Sequence, residues 1–423
     1  MVTKFYFPKD SSYFELKNQK LSLEKIRLLT ENESLSRVKF LDLSRIGIND
    51  QGVALLANCS YLKNVETLLL ANNNIGDEGV FFISHSTNFK SLVSLKLSGN
   101  EIGPLGSKAL ATSSSRINIR TLDLSHNRIG FFGAKAIGQS EKLVNLESLD
   151  LTDTGIGDNG LQAFSKFFRG KKLISLNLGG NDFSHNGIEV FSNETNLQNI
   201  TSLNLEDNRL DDKGIKLLAK SPNLNKLKEL RLRRNGLTAD SAIDLANSTT
   251  IVNLKKLTIE NNDFRADGIR EFTKTDNINK IEYLDVSENQ LGPEGIEAIA
   301  SSFRFSNLKH LILSNNGVLD EGAKALGSSK TLKKLEVLHL DCNNWIEALG
   351  AKALAQSKTL SNLRELTLAL NLIGDEGAGY LANSKNLSNL TYLNVVGNRL
   401  SAFGEALLSS STELKKLKNL EYF

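Results

Sequence analysis

Hydrophobic residues recur along the chain in one template, L-x-x-L-x-L-x-x-N-x-L, at a spacing of 27 residues. Self-similarity at a fixed period of this size indicates a repeat array and outweighs local propensity. The first template position falls at Val38, Val65, Leu92, Ile119, Leu146, Leu173, Ile200, Leu227, Leu254, Ile281, Leu308 and Leu335. One extra residue near Trp345 moves the next starts to Leu363, Leu390 and Leu417.

The two ends of the array depart from the template. Twenty-seven residues before Val38, the stretch SSYFELKNQKL keeps the apolar positions but has Gln19 in place of asparagine. We interpret residues 1–37 as an N-terminal segment with a degenerate capping repeat, 38–416 as the repeats, and 417–423 as a terminal half-repeat strand. That last strand, ending at Phe423, leaves an open edge that invites self-association by backbone pairing.

Each repeat is predicted to contain one strand and one helix. The Leu-x-Leu alternation at template positions 4 and 6 is typical of a short strand with one buried face. The segments that follow, such as residues 322–326, space their apolar residues for a helix. Strands pack ~4.8 Å apart and helices ~8–10 Å apart. The array should therefore curve into a horseshoe with parallel strands on its concave face and helices on its convex face.

Template position 9 is asparagine in most repeats. A side-chain amide can donate and accept hydrogen bonds, so we expect it to satisfy the backbone of the bend after each strand. Ile46 and Thr154 replace this asparagine in two repeats, and Ser241 replaces a glycine of the following turn. These departures should weaken single bends without disrupting the array.

The pattern N-x-I-G-D-x-G-A-x-x-L at 27 residues resembles the ribonuclease-inhibitor class of leucine-rich repeats, which also occurs in Ran GTPase-activating proteins and NOD-like receptors. The resemblance covers residues 11–423 and implies an α/β leucine-rich-repeat solenoid of about 15 repeats. The short repeats with almost no cysteine are also similar to leucine-rich-repeat effectors that intracellular bacterial pathogens deliver into host cells. That second resemblance implies virulence.

Composition restricts the compartment and the partner. The 51 Lys and Arg nearly balance the 48 Asp and Glu, which argues against a general polyanion binder. Cys59 and Cys342 are far apart and form no disulfide framework or metal-ligand spacing. The N-terminus lacks the apolar stretch of a signal peptide, and no segment has the ~20 apolar residues of a membrane span. We expect a cytoplasmic protein or, alternatively, one secreted without a classical signal peptide into a host cytosol.

Two motifs resemble chemical sites. Residues 155–160 read GIGDNG, a G-x-G-x-x-G in the strand-to-helix context of a dinucleotide site. The related NIGDEG at 74–79 indicates that these residues belong to the repeat, and Asp158 is expected to cap helix N–H groups. His310, His339, Asp341 and Cys342 fall on neighbouring strands. Alternate strand positions lie ~7 Å apart, too far for a metal site, so we expect no cofactor and no metal.

The stretch LRLRRNG at 230–236 places three arginines together, and template register predicts their neighbours. Equal template positions of parallel strands lie side by side at ~4.8 Å. Arg233 then falls between Glu206 and Glu260, and Arg234 falls beside Asp207. Only Arg231 has neutral neighbours in its row, so we expect it to be available to a partner. Nucleic-acid binding is not expected.

Template positions 3, 5, 7 and 8 should face the inside of the horseshoe, where such arrays bind partners. Toward the C-terminus this face gains aromatic and apolar residues, which are typical of protein contacts. The predicted partner-binding residues are Arg231, Arg233, Tyr283, Asp285, His310, Ile312, His339, Asp341 and Tyr392. A secondary acidic patch, predicted to lack cationic neighbours and to suit a basic partner, comprises Asp123, Glu147, Asp150 and Asp153.

The sequence therefore predicts a non-catalytic scaffold that binds a partner protein through its concave face, with a bacterial effector acting on a host protein as one setting. The resemblance to Ran regulators leaves a second interpretation, regulation of a small GTPase. A metal or hydrolase site at His310, His339 and Asp341 is a third interpretation, which requires these side chains to converge.

Overall fold

The structure is a computed structural model that describes residue 5 and residues 12–113, 118–343 and 345–422. Phe423, the predicted end of the terminal strand, lies outside the described residues. The chain divides into two compact units. Unit 1 contains residues 1–208 and 221–226, and unit 2 contains residues 209–220 and 227–423.

Unit 1 contains eight strands and seven α-helices among its described residues. The strands are β1 (Tyr13–Glu15), β2 (Phe40–Asp42), β3 (Thr67–Leu69), β4 (Ser94–Lys96), β5 (Thr121–Asp123), β6 (Ser148–Asp150), β7 (Ser175–Asn177) and β8 (Ser202–Asn204). The helices are α1 (Leu23–Thr30), α2 (Asp50–Asn58), α3 (Asp77–His85), α4 (Pro104–Ala111), α5 (Gly130–Gly138), α6 (Gly157–Phe167) and α7 (His185–Asn193). Short 3-10 helices span Glu33–Arg37, Ser60–Asn64 and Thr195–Leu197.

Unit 2 contains eight strands and eight α-helices among its described residues. The helices are α8 (Asp211–Ala219), α9 (Ala239–Ala246), α10 (Arg265–Phe272), α11 (Gly292–Ser301), α12 (Leu319–Ser328), α13 (Ala348–Ala355), α14 (Gly374–Ala382) and α15 (Ala402–Ser409). The strands are β9 (Glu229–Arg231), β10 (Lys256–Thr258), β11 (Tyr283–Asp285), β12 (His310–Ile312), β13 (Val337–His339), β14 (Glu365–Thr367), β15 (Tyr392–Asn394) and β16 (Asn419–Glu421). Short 3-10 helices span Asp276–Ile278, Phe303–Phe305 and Thr359–Asn362.

Within each unit, consecutive strands pair in parallel and in register, so that equivalent template positions are neighbours. Phe14 lies beside Leu41 in unit 1, and Leu284 lies beside Leu311 in unit 2. The template thus gives the strand register directly. This also holds for the repeat that the extra residue near Trp345 lengthens to 28 residues, where Leu338 pairs with Leu366. The predicted succession of strand, turn and helix is confirmed. The degenerate repeat before Val38 forms β1 and α1.

The core of each unit lies between its strands and its helices. The middle residue of each strand is buried, except in the terminal strand β16, and most helices bury an apolar residue against this layer. Leu230 and Leu284, for example, have no exposed surface. Burying a leucine side chain stabilises a fold by about 1.5–3 kcal/mol, so repetition of this contact supplies the main driving force.

The template asparagines join neighbouring repeats. The Asn73 amide donates to the carbonyl oxygens of Leu70 and Leu43 at 2.9 and 3.0 Å, and its oxygen accepts from the N–H groups of Ile46 and Ile48 at 3.0 and 3.2 Å. Leu43, Ile46 and Ile48 belong to the preceding repeat. The predicted role of this asparagine in the bend is confirmed, and it also connects one bend to the next.

Helix N-termini are likewise capped from the preceding repeat. The Asp50 carboxylate on α2 accepts from the N–H groups of Gly76 and Gly79, at 2.7 and 2.9 Å, where α3 begins. At the other end of the helices, Ser86 donates from its hydroxyl to the Ala57 carbonyl of the preceding repeat at 2.5 Å. The longest described α-helix, α6, has 11 residues, and none in the described part of the chain has the length and apolar character to cross a membrane.

Candidate partner-binding surface

The outward side chains of β9–β16 form one surface of unit 2, which we call the strand face. In strands β9–β15 the middle residue is buried and the flanking residues, at template positions 3 and 5, are partly exposed, although Thr258 and Thr367 are buried; β16 is more exposed throughout. In-register pairing turns each template position into a row across the strands. The position-3 row reads Glu229, Lys256, Tyr283, His310, Val337, Glu365, Tyr392 and Asn419.

Arg231 is not free, and the prediction that it lacks a charged partner is wrong. Its guanidinium contacts the Glu229 carboxylate through Nε at 2.9 Å and Nη2 at 2.7 Å. Glu229 also lies 3.3 Å from Lys256 Nζ. Burial opposes ionisation of Glu229, but the hydrogen bond and charge of Arg231, together with Lys256, prevail and lower its pKa. Comparing equal template positions of neighbouring strands could not reveal this contact, because Glu229 lies two residues earlier on the same strand.

Tyr283 lies at the centre of a half-buried row of cationic and aromatic side chains. Lys256 Nζ lies 4.8 Å from the centre of the Tyr283 ring, within cation–π range. On the other side, the Tyr283 and His310 ring centres are 5.6 Å apart. Asp285 and Ile312, at position 5 of the same two strands, are register partners. These predicted partner-binding residues are therefore contiguous.

Arg233 and Glu260 form the ion pair that the register predicted, with Nε 3.3 Å from Oε1. This ion pair does not determine the direction in which the pKa of Glu260 is shifted. Burial raises the pKa of Glu260, Arg233 lowers it, and the negative charges of Asp285 and Glu288 raise it further, for a net upward shift. Carboxylates thus gather beside a half-buried arginine, and a cation from a partner would be stabilised here.

His310 and His339 do not converge with Asp341. His339 Nε2 contacts Glu365 Oε1 at 2.7 Å, on the next strand. The Asp341 carboxylate accepts from the Thr367 hydroxyl at 2.6 Å and from the Ala369 N–H at 2.7 Å. Within the described residues, no three His, Cys, Asp or Glu side chains are arranged to hold a metal ion. His339 and Asp341 thus connect β13 and the bend after it to β14 and the bend after that.

Cys342 is the remaining member of this grouping. Burial raises the pKa of its thiol, and the charges of Asp341 and Glu288 add to the effect. A raised pKa keeps the sulfur protonated at neutral pH, which disfavours nucleophilic chemistry.

Apolar side chains lie in the bends that follow β14 and β15, beside the strand face. Leu370 is 51% exposed and Val396 is half-buried. Burial raises the pKa of Tyr392, and its hydrogen bond with Glu421 of β16 contributes in the same direction. Apolar and aromatic side chains held at an exposed surface are typical of protein contacts.

In unit 1, the predicted acidic patch is only partly uncompensated. Asp123 and Asp150 are register partners on β5 and β6. Asp153 lies 3.1 Å from His126 Nδ1, and Glu147 lies 3.5 Å from Arg120 Nη1. The prediction that the patch has no cationic neighbour is wrong for Glu147, whereas Asp153 lies beside an imidazole that is cationic only when protonated. His126 and Asp153 both occupy template position 8. Arg120 and Glu147 both occupy template position 2, a position that the predicted concave face did not include.

The GIGDNG segment forms a helix start rather than a nucleotide cradle. The Asp158 carboxylate accepts from the N–H groups of Ser184 and Gly187 at 2.7 and 3.0 Å, and from the Ser184 hydroxyl at 2.9 Å. It therefore caps α7, the helix of the following repeat. The predicted capping role of Asp158 is confirmed, although the capped helix is the next one along the chain.

Sequence reasoning missed four residues of the two strand surfaces. Glu229 and Lys256 organise the charged end of the position-3 row in unit 2. In unit 1, the rings of Tyr13 and Phe40 stack with centres 4.7 Å apart at the equivalent position, and Tyr13 is 45% exposed. The signal was available, because all four occupy template position 3.

A family model described as leucine-rich repeat matches residues 61–84, 90–111, 117–138, 142–165, 196–219, 277–300, 306–327, 331–355 and 359–382. An internalin from Listeria monocytogenes is similar in structure, with a TM-score of 0.56 and 20% identity over 88% of this chain and 94% of that chain. The mouse RP105/MD-1 complex gives a TM-score of 0.53 and 18% identity over 96% of this chain and 75% of that chain. No curated protein matches. At these identities the structural likeness concerns the fold.

Proposed function

Because this chain is a leucine-rich-repeat protein, we propose that it is a non-catalytic scaffold that binds a partner protein through the strand face of unit 2. The observation that carries the proposal is the contiguous row of Lys256, Tyr283 and His310 at a partly exposed surface. Tyrosine and arginine are enriched among the residues that dominate binding energies. RP105, a protein of similar fold, forms a complex with another protein, MD-1, and this supports the same use here.

The proposed contact residues span the whole face. Arg231, Tyr283, Asp285, His339 and Tyr392 lie on four of its eight strands. Arg231 and His339 are already paired with carboxylates, so they would present preorganised pairs to a partner. Fixing a side chain before binding reduces the entropy lost on association.

Alanine substitution tests the face. A partner is first captured from host-cell cytosol and purified, and its affinity is measured by calorimetry. Combined alanine changes at the five contact residues should abolish binding. Tyr380→Ala is the matched control, because Tyr380 lies on α14 and its hydroxyl donates to Glu376 on the same helix. Unchanged affinity of the five-residue variant would refute the assignment to the strand face.

We also propose a cytosolic setting and the ribonuclease-inhibitor class. The class is supported by the 27-residue period with a helix in nearly every repeat. The setting is supported by the two unpaired cysteines, with Cys59 buried and Cys342 half-buried. Delivery as a pathogen effector is the more specific form of this proposal. Detection of the protein in fractionated host cytosol during infection tests it, and retention in the bacterium would contradict it.

A further inference from the structure

A second surface lies where the strands of unit 2 begin, outside the strand face. It is an open groove of about 640 Å³. The residues that line it are Lys309, Lys334, Glu336, Asn362, Arg364, Asn389, Thr391 and Lys416. We call it the basic groove, because four of these side chains are cationic and one is anionic. The whole chain has a formal net charge of only +3, so the groove concentrates charge that composition does not reveal.

The nearby acids are already paired. Glu282 contacts Lys309 Nζ at 2.7 Å and Lys255 Nζ at 3.0 Å. Hydrogen bonds from Lys309 and then Lys255 lower the pKa of Glu282 to about 2, so it is fully ionised at neutral pH. Glu336 lies 3.7 Å from Arg364 Nε. Two carboxylates of this edge are therefore shared among three cations, Lys255, Lys309 and Arg364, which leaves a positive excess.

The other lysines of this edge are held by neutral amides instead. Lys334 Nζ donates to Asn307 Oδ1 at 2.7 Å, and Lys416 Nζ donates to Asn389 Oδ1 at 2.7 Å. Both lysines are exposed. An amide oxygen can orient an ammonium group without cancelling its charge. The groove therefore presents positive charges in fixed positions, which favours binding of anionic groups by preorganisation.

We propose that the basic groove binds an acidic segment of a protein, a function beyond the contact made by the strand face. Adjacent strands lie ~4.8 Å apart, so cations two strands apart, such as Lys309 and Arg364, are roughly 10 Å apart. Glu336 lies between them, immediately before β13, and a continuous polyanion would place charge against it. The Asn362 amide nitrogen and the Thr391 hydroxyl already donate to the carbonyl oxygens of Lys333 and Arg364, so their side-chain oxygens offer acceptors for the N–H groups of a peptide backbone.

The test measures the anisotropy of a short fluorescein-labelled peptide in which Asp and Glu alternate with Gly and Ser. The variant Lys334→Glu with Lys416→Glu reverses the two amide-held charges. The matched control, Lys324→Glu with Lys385→Glu, changes net charge equally at exposed lysines elsewhere in unit 2. We expect peptide affinity to fall at least about tenfold in the groove variant and less than about twofold in the control.

Three comparisons make the result decisive. Glu336→Gln removes the single carboxylate among the described groove-lining residues and should strengthen peptide binding. The Asn and Gln analogue of the peptide should bind weakly to every variant. Equal losses in the groove variant and the control would overturn the proposal. So would tighter, lysine-dependent binding of a single-stranded oligonucleotide, which would identify the groove as a polyanion site.

Separate controls exclude misfolding of the variants and a contribution of the strand face to peptide binding. Circular dichroism of each variant reports its fold, and Lys334→Gln with Lys416→Gln provides a milder pair that can still hydrogen-bond to the asparagines. Tyr283→Ala should leave peptide affinity unchanged, because Tyr283 is on the strand face. Loss of peptide binding in Tyr283→Ala would show that the groove is not an independent surface, and failure of the strand-face proposal alone would leave the groove result intact.

Discussion

The template asparagines form a ladder of hydrogen bonds between repeats, which gives the sharpest stability prediction, and Asn316 is a buried member of this ladder in unit 2. Its amide donates to the carbonyl oxygens of Val286, Leu313 and Ser314 at 2.9, 3.2 and 3.4 Å. Its oxygen accepts from the N–H groups of Asn289 and Leu291 at 3.0 and 3.3 Å. Only 2% of Asn316 is exposed, so water does not replace these bonds when the side chain is removed.

The magnitude follows from these five contacts. A net hydrogen bond contributes about 1 kcal/mol, and a buried group left without a partner costs about 1–3 kcal/mol. The weakest contact, to Ser314, adds little. We therefore expect Asn316→Ala to lower the free energy of unfolding by about 3–5 kcal/mol. Asn316→Asp should be at least as destabilising, because a carboxylate can accept from the two N–H groups but faces three carbonyl oxygens with no donor.

Denaturant unfolding followed by circular dichroism measures the loss, and hydrogen exchange of residues 286–292 locates it. The control is Asn315→Gly, the neighbouring residue, which is exposed and has a left-handed φ of 53° that glycine adopts without strain. It should change stability by less than about 0.5 kcal/mol. The ladder argument is refuted if Asn316→Ala and Asn315→Gly have equal effects, or if protection is lost uniformly along the array.

Three further changes test other contacts. The pKa of Glu282 is lowered on folding, so its ion pairs stabilise the protein above about pH 4.5, and this contribution is lost as pH falls toward 2. Its carboxylate is a third exposed, so Glu282→Gln should lower the free energy of unfolding by only about 1 kcal/mol at pH 6. Urea unfolding of both proteins at about pH 6 and about pH 2 should show that this difference vanishes at the lower pH. A β-carbon on Gly79 would lie 2.5 Å from Asp50 Oδ1, so Gly79→Ala should cost about 1–3 kcal/mol by thermal unfolding, whereas Gly379→Ala, whose nearest contact is an ordinary 3.5 Å, should be neutral or stabilising. Leu370 has a φ of 55°, and Leu370→Asn should raise the unfolding midpoint because asparagine tolerates that conformation; an unchanged or lower midpoint would show that its apolar contacts outweigh the strain.

The fold could be predicted from sequence because each repeat presents the same physical constraints. The Leu-x-Leu positions specify the buried strand residue, and the period specifies the register, as the pairing of Leu284 with Leu311 shows. The direction of capping could not be predicted. Asp158 lies in the first turn of α6, yet its carboxylate accepts a hydrogen bond from the start of α7 in the next repeat. Local sequence gives capping chemistry, but packing between repeats decides which helix is capped.

The surface was predicted less well, because register gives neighbours by backbone position and not by side-chain reach. Arg231 has neutral row neighbours, but its long side chain extends to Glu229 two residues away. His339 similarly reaches Glu365 at a different template position. Template position 8, represented by Arg234, has a left-handed φ in each complete repeat, because it forms the bend after the strand. The recurrence of Asn, Asp and Gly at this position was the sequence signal for that conformation.

The two surfaces proposed for unit 2 should respond differently to salt, which separates them without mutation. On the strand face, Arg231 and His339 contact carboxylates, so the exposed aromatic and apolar groups must supply much of the binding energy. In the basic groove, Lys334 and Lys416 are bound by amides and keep their charge. Charged contacts at an exposed surface weaken as the Debye length shrinks from ~10 Å at 0.1 M salt to ~3 Å at 1 M. Raising the salt concentration over that range should therefore release the acidic peptide while the strand-face partner stays bound; release of both together would show that one electrostatic surface binds both.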